Sequence, residues 1–436
     1  LVLSLDPKVG DHTRADVLVA GDRIAAVSPD LVVENAEVID VAGMIVMPGL
    51  INAHQHAWLG LLRGLMPNVD AIGDYMAAIP QMLGRFYTAE DSGLATRLTA
   101  LSSLDAGVTT LLDACHNTRS PTHSNAAISA FEATGLRVLH MVGKPLDCWP
   151  NTWPGDVERL ATGREAKENL VRVGLFAQPD SMDASMPLAR RLGLRILTEY
   201  AGPGSVITEM HDKGLLGADN IFNHCTRLTD GEWQLLKAAG AHVTVNPRSD
   251  ALFGFEAGGF PFQAAIDHGL KPALGVDIDT SMSGDMFAEM RTAFFQQRSV
   301  AQAQRVLGNR AMPSAVTVRA ILEAATVNSA ACLGLADQIG TLTPGKQADI
   351  IAIRTEGIAV YPSHNAIGTV VHMIERADVQ EVMVAGRLRK HAGHLLDADL
   401  AGLHAETDAA RARLFEAAGY TPSAFEERFP QLHAAA

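Results

Sequence analysis

His54 and His56 close an apolar run in the segment PGLINAHQH. Residues i and i+2 of a strand share a face, so the two imidazoles would project together. At the mouth of a barrel such a pair could chelate one metal ion. Alone, the pair would be equally at home as two solvated histidines in a chain that holds 16. Asp277, in LGVDIDTSMSGDMF, ends another strand-like run, and its carboxylate could bind the same ion and take a proton from bound water. Asp279 and Asp285 read as turn or cap residues, Asp285 because a helical run opens there. His224, in NIFNHCTRLTDGE, closes a third run. A histidine beside an activated water can hold it or shuttle a proton, because its pKa lies near neutrality. Thr229 with Glu232 matches a capping box and reads as structure.

These residues need elements to hold them. Eight apolar runs read as strands: 44–52, 107–113, 136–142, 171–177, 194–200, 220–224, 241–246 and 271–277. Amphipathic helical stretches such as DGEWQLLKAAG and DMFAEMRTAFFQQR lie between or after them. Eight strands alternating with helices predict an α/β fold, a (β/α)8 TIM-like barrel, with an open doubly wound sheet as the rival. Residues 1–47 hold a hairpin signal, ADVLVAGDRIAAVS, and 345–398 carry similar β-rich segments. Neither end has enough strands for a stable sheet alone, so the two should meet in one small composite β-sandwich domain. The expected division is 1–47 with 345–398 as that domain, 48–344 as the barrel, and 399–436 as an Ala-rich helical tail for packing or oligomerisation.

Composition limits the partners. The 436 residues carry 35 Lys and Arg against 49 Asp and Glu, a net charge of −14. That balance argues against nucleic acid and anionic membrane, both polyanions. No window reaches the roughly 18 apolar residues of a membrane span, and the first residues do not read as a secretory signal. Four scattered cysteines without a Cys-x-x-Cys pair point to a reducing cytoplasm and away from a thiolate zinc site. A Gly-x-Ser-x-Gly elbow and a phosphate-binding Gly-Lys-Ser/Thr loop are both missing from the sequence.

Five segments occur in order: PGLINAHQH, GVTTLLD, HCTRLTDGEWQLLKAAGAHVTVNP, the Asp277 strand end with DMFAEMR, and GTLTPGKQADIIAI. Together they resemble the metal-dependent amidohydrolase superfamily, nearest the cytosine and guanine deaminases and the triazine hydrolases. The resemblance runs over about residues 15–390 and implies a distorted (β/α)8 barrel with a composite β-sandwich. It also implies one divalent metal per chain, zinc first and iron or manganese as alternatives, that activates water. A small-molecule substrate and a homodimer belong to the same expectation. By this resemblance His54 and His56 are metal ligands, Asp277 is a ligand and general base, and His224 orients water or substrate.

Strand five departs from the pattern. The deaminase-like branch carries His-x-x-Glu there, its His on the metal and its Glu moving protons to the ring nitrogen and the leaving group. Here LRILTEYAGPGS puts Glu199 at the His position and Gly202 at the Glu position. Two readings stay open: Glu199 is a metal ligand, or it is a catalytic acid/base beside a weakly held or absent metal. His211 reads as part of the next helix. Substrate-facing candidates are His116 with Asp113 after strand two, His140 after strand three, Gln178 after strand four, and Asn246 and Arg248 after strand seven. Trp58 could wall the pocket, and the loop holding Trp149 and Trp153 could cover it. His123 reads as the start of a helix.

The expected function is hydrolysis of a non-peptide C–N bond at an sp² carbon of a small cyclic or aromatic compound. Dehalogenation, decarboxylation or isomerisation in the same barrel is the alternative reaction. A non-catalytic small-molecule-binding descendant is the alternative class.

Overall fold

The computed structural model describes residues 1–146, 153–164, 169–201, 206–255, 261–309 and 314–424. Gly202, Cys148 and Trp149 lie outside these residues, as does the tail beyond 424. Strands β1 (Asp16–Ala20) and β2 (Arg23–Ser28) form the hairpin expected around Gly21 and Asp22.

The apolar run 44–52, expected as one barrel strand, is two. Strand β3 (Met44–Pro48) belongs to the small sheet, and β4 (Leu50–Gln55) enters the barrel. Gly49 is the joint. A Cβ there would stand 2.1 Å from Thr109 Oγ1, so only glycine lets the chain cross from sheet to barrel at this point. The run carries no polar break, because both halves are buried.

The barrel continues through β5 (Val108–Cys115), β6 (Arg137–Val142), β7 (Val171–Phe176) and β8 (Ile196–Ala201). It ends with β9 (Asn220–Thr226), β10 (His242–Val245) and β11 (Ala273–Leu274). These eight strands pair in sequence order and in parallel. A parallel bridge between Gln55 and Asp277 brings the last to the first. Alternation fills the lumen with Ile51, Ala53, Leu112, Leu139, Leu197 and Ile221, a packed core rather than a pore. The opposite parity meets the outer helices in a second, larger core.

The seam between first and last strand is held by polar groups. Asn52 Nδ2 donates to Gln55 Oε1 at 2.7 Å, and Gln55 Nε2 donates to Asp279 Oδ1 at 2.6 Å. Arg63 Nε donates to Asp279 Oδ2 at 2.8 Å. Asp279 does sit in a turn, as expected, but it is more than a turn residue. It is a buried anchor of the seam, which its small polar neighbours in the sequence disguise. Asp285 does cap its helix, accepting from Phe287 N.

The two ends of the chain meet. Strand β3 pairs antiparallel with β12 (Ile350–Arg354), which continues into β13 (Val379–Val384), β14 (Arg387–His391) and β15 (His394–Leu395). Between β4 and the helix Ala89–Asp105 the chain makes an excursion of short helices, among them Ala57–Leu62 and Ile72–Met76. Its Trp58, Tyr75 and Tyr87 form a core with Ile278 and with Leu414 and Phe415 of the helix Leu400–Ala417. Among the described residues no helix is long and apolar enough to cross a membrane.

Candidate metal centre

Four side chains converge at the C-terminal mouth of the barrel. His54 is next to last in β4, His56 follows the strand, Glu199 sits in β8, and Asp277 follows β11. His54 Nε2 lies 3.1 Å from Glu199 Oε1 and 3.4 Å from Asp277 Oδ1. His56 Nε2 lies 3.2 and 3.3 Å from the same two oxygens. A tetrahedron with bonds of about 2.05 Å has edges of about 3.3 Å, so these spacings suit a first-row divalent ion.

The atoms are aimed at a shared centre rather than at one another. His54 Nε2 and Glu199 Oε1 are buried and make no hydrogen bond despite their proximity. His56 Nδ1 donates to the Ala114 carbonyl at 2.5 Å, which leaves its Nε2 lone pair facing the cluster. Ser249 Oγ donates to Asp277 Oδ2, holding that carboxylate with its other oxygen toward the histidines. This donor set fits a divalent metal.

The electrostatics match. Burial opposes charge on His56, but Glu199 and Asp277 outweigh it and raise the imidazole well above its usual range. Burial likewise opposes ionisation of Glu199 and Asp277, yet the histidines hold both well below the usual carboxylate range. The two buried carboxylates draw positive charge to this point, which a proton on His56 or a cation in its place supplies. His116, against His56 with ring centroids 4.4 Å apart, is pushed down to about 3 by burial and by His56, so it stays neutral.

His224 faces the same cluster, its Nε2 3.9 Å from Asp277 Oδ2. Both residues have left-handed backbones, φ +65° for His224 and +75° for Asp277. Such conformations strain a residue with a Cβ and gather at functional sites. Here they break strand alternation and turn the side chains into the mouth. His224 Nδ1 donates to the buried Asp250 Oδ1 at 2.6 Å. Burial lowers this imidazole, Asp250 more than compensates, and its pKa rises to about 9.

The other expected site residues divide. Trp58 and His116 join the cluster's wall, their rings 5.4 Å apart. Asn246 lies one layer behind: its Nδ2 donates to Asn223 Oδ1 at 2.8 Å and lies 3.3 Å from His224 Nδ1. Gly275 makes room for it, since a Cβ there would stand 2.5 Å from Asn246 Oδ1 and 2.7 Å from His54 Cβ. Gln178 donates to the Lys144 carbonyl, tying two loops together. His140 shares the outward parity of Val138 and Val142, with its ring against Phe131 of an outer helix. Its Nδ1 lies 2.6 Å from Asp113 Oδ2, a hydrogen-bond length shorter than the edge between two metal ligands. Gln178 and His140 are thus not brought to the cluster. Arg248 pairs with Glu289, and His123 sits in the helix Pro121–Thr134. Trp153 Nε1 donates to the Val142 carbonyl.

Ser249, Asp250 and Tyr75 escaped the sequence reading. Ser249 and Asp250 follow the named Asn246 and Arg248 in NPRSD, and a search for polar residues after each strand could have reached them. Tyr75 sits in an aperiodic stretch with no such signal.

A model of the amidohydrolase family matches residues 45–389. The chain belongs to the amidohydrolase family. This amidohydrolase is similar to a 5'-deoxyadenosine deaminase of Methanosarcina mazei, 26% identical over 411 residues that cover 89% of this chain and 90% of the relative. Among solved structures it is similar to a zinc-bound adenosine deaminase from Xanthomonas campestris, with a TM-score of 0.80 at 22% identity, covering 95% of this chain and 97% of the other. It is also similar to the atrazine chlorohydrolase TrzN from Arthrobacter aurescens TC1 complexed with zinc, with a TM-score of 0.82 at 22% identity over 94% and 98% of the two chains. The expected barrel and the expected deaminase and triazine hydrolase branch agree with these relatives.

Proposed function

We propose that this amidohydrolase is a metal-dependent hydrolase that releases an amine from a small heteroaromatic substrate. The observation that carries the reading is the four-atom cradle of His54, His56, Glu199 and Asp277, with cross-distances of 3.1 to 3.4 Å. In this reading Glu199 is a ligand, because its Oε1 sits at near-equal distance from both imidazoles. The ion is zinc, one per chain, which accepts two imidazoles and two carboxylates. When bound, it supplies a water ionised near neutral pH, a nucleophile that bulk water does not provide.

The protein groups do the rest. Asp277, fixed by Ser249, takes the proton of the attacking water and delivers it to the departing amine. His224, fixed by Asp250, presents its Nε2 proton to the negative charge that develops at the attacked carbon's substituents. His116 and Trp58 wall the ring of the substrate. The catalytic unit is residues 48–344, braced by 1–47 with 345–398, a division supported by the pairing of β3 with β12.

Ammonia release from a panel of amino-heterocycles, 5'-deoxyadenosine first, tests the reading. Turnover that disappears with a chelator and returns with zinc is the expected result. A metal-loaded, folded protein that releases no amine from any panel member would overturn it.

A further inference from the structure

Among its described residues the excursion after β4 leaves three buried hydrogen-bond donors without acceptors, on Trp58, Tyr75 and Tyr87, and the first two stand beside the cluster. Tyr75 is 4% exposed, and its hydroxyl has no hydrogen-bond partner. Trp58 is 2% exposed, and its Nε1 has none either. Buried polar groups in proteins are nearly always paired, so each orphan calls for an explanation. Two that flank one cluster, Trp58 beside His116 and Tyr75 on the aromatic chain that ends on His224, call for a shared one.

Both side chains are seated with their rings fixed. The benzo edge of Trp58 abuts Gly84, where a Cβ would stand 3.2 Å from Cη2. Its ring lies 5.4 Å from that of His116, which in turn lies tilted against His56 with centroids 4.4 Å apart. The Tyr75 ring lies 5.8 Å from Phe253, Phe253 lies 5.2 Å from Phe255, and Phe255 lies 5.3 Å from His224. Tyr75 thus belongs to an aromatic arch that ends on His224, opposite the wall of Trp58 and His116. Burial first, then the charges of Asp277 and Glu199, push its phenol well above the ordinary value. The phenol therefore carries its proton at neutral pH and can act as a donor.

We infer that Tyr75 is a substrate-contacting residue whose hydroxyl donates a hydrogen bond to a ring nitrogen of the heteroaromatic substrate, with Trp58 Nε1 as the second donor to another ring nitrogen. The inference rests on the hydrolase reading above and narrows it to flat substrates with two acceptors on separate edges. It also answers the departure at strand five. Position 202, a glycine, has no side chain to serve a ring nitrogen, and the roof of the pocket serves it instead. The phenol keeps its proton in this role.

The test uses the amino-heterocycle that the zinc-loaded wild type turns over best. It is compared with analogues in which one ring nitrogen at a time is CH, read as inhibition constants. Tyr75→Phe should weaken the parent compound by roughly ten- to a hundredfold. It should leave unchanged the one analogue that lacks the nitrogen Tyr75 serves. Trp58→Phe should single out a different position. A merely structural role would weaken all compounds alike, and metal content and thermal midpoint report on it separately. Equal losses across the whole series, or none, would overturn the inference while leaving the hydrolase reading intact. No turnover by wild type of any panel member would sink both.

Discussion

Nε2 of His54 and Oε1 of Glu199 lie 3.1 Å apart, both buried, and neither makes a hydrogen bond. Buried polar atoms this close normally align to share a proton. Here each points past the other to a centre that His56 and Asp277 also face. Glu199 thereby stands where relatives of the deaminase branch are expected to place a histidine. With Glu199 as a ligand, the exchange would add a negative charge to the site and would make a metal-bound water less acidic.

The barrel seam depends on Asp279. It is buried and bound by Gln55, Arg63 and Thr99. Asp279→Ala leaves the amide and guanidinium without an acceptor and should cost about 2–4 kcal/mol in urea unfolding. A loss within experimental error would show that the seam is held elsewhere.

His224 owes its orientation to Asp250. Asp250→Asn keeps the volume but removes the charge that fixes the imidazole. In comparable His–Asp pairs the neutral substitution costs orders of magnitude in rate. The expected result is a fall in kcat of at least about a hundredfold with metal content unchanged. An unimpaired kcat would remove His224 from the reaction.

Glu289 gives a pH dependence. It is buried with Oε1 2.5 Å from Arg248 Nε. Burial pushes its carboxyl up from the ordinary 4.5 to about 7, and Arg248 offsets only part of this. A raised folded pKa favours the protonated form. Its contribution is present below about pH 4.5 and is lost as pH rises through about 7. The shift corresponds to on the order of 3 kcal/mol. Relative to Glu289→Gln, which does not titrate, wild type should lose unfolding free energy across that window. A difference between the two that is constant with pH would contradict this.

Much of the framework was legible because short apolar runs bounded by turns mark each strand. His54, His56, His224 and Asp277 were legible because each follows such a run, at the end where barrels place chemistry. Other features depended on information that periodicity does not carry. The β3–β4 break hides in a continuous apolar run, since burial on both sides of Gly49 erases the polar boundary. His140 sits near a strand end like the others, but its parity turns it outward. Asn246 reaches the site only through His224. Tyr75 and Trp58 belong to an excursion whose position is set by packing against Ile278 and the helix Leu400–Ala417, contacts far apart in sequence.

The central claim is that Glu199 completes a metal site with His54, His56 and Asp277. Elemental analysis of protein purified without added metal, wild type beside Glu199→Gln, tests it most directly. About one divalent ion per wild-type chain is expected. Little metal is expected in Glu199→Gln, and recovery in Glu199→His, which restores an imidazole at that vertex. Wild-type metal content in Glu199→Gln, or none in any of the three after incubation with zinc, would contradict the claim.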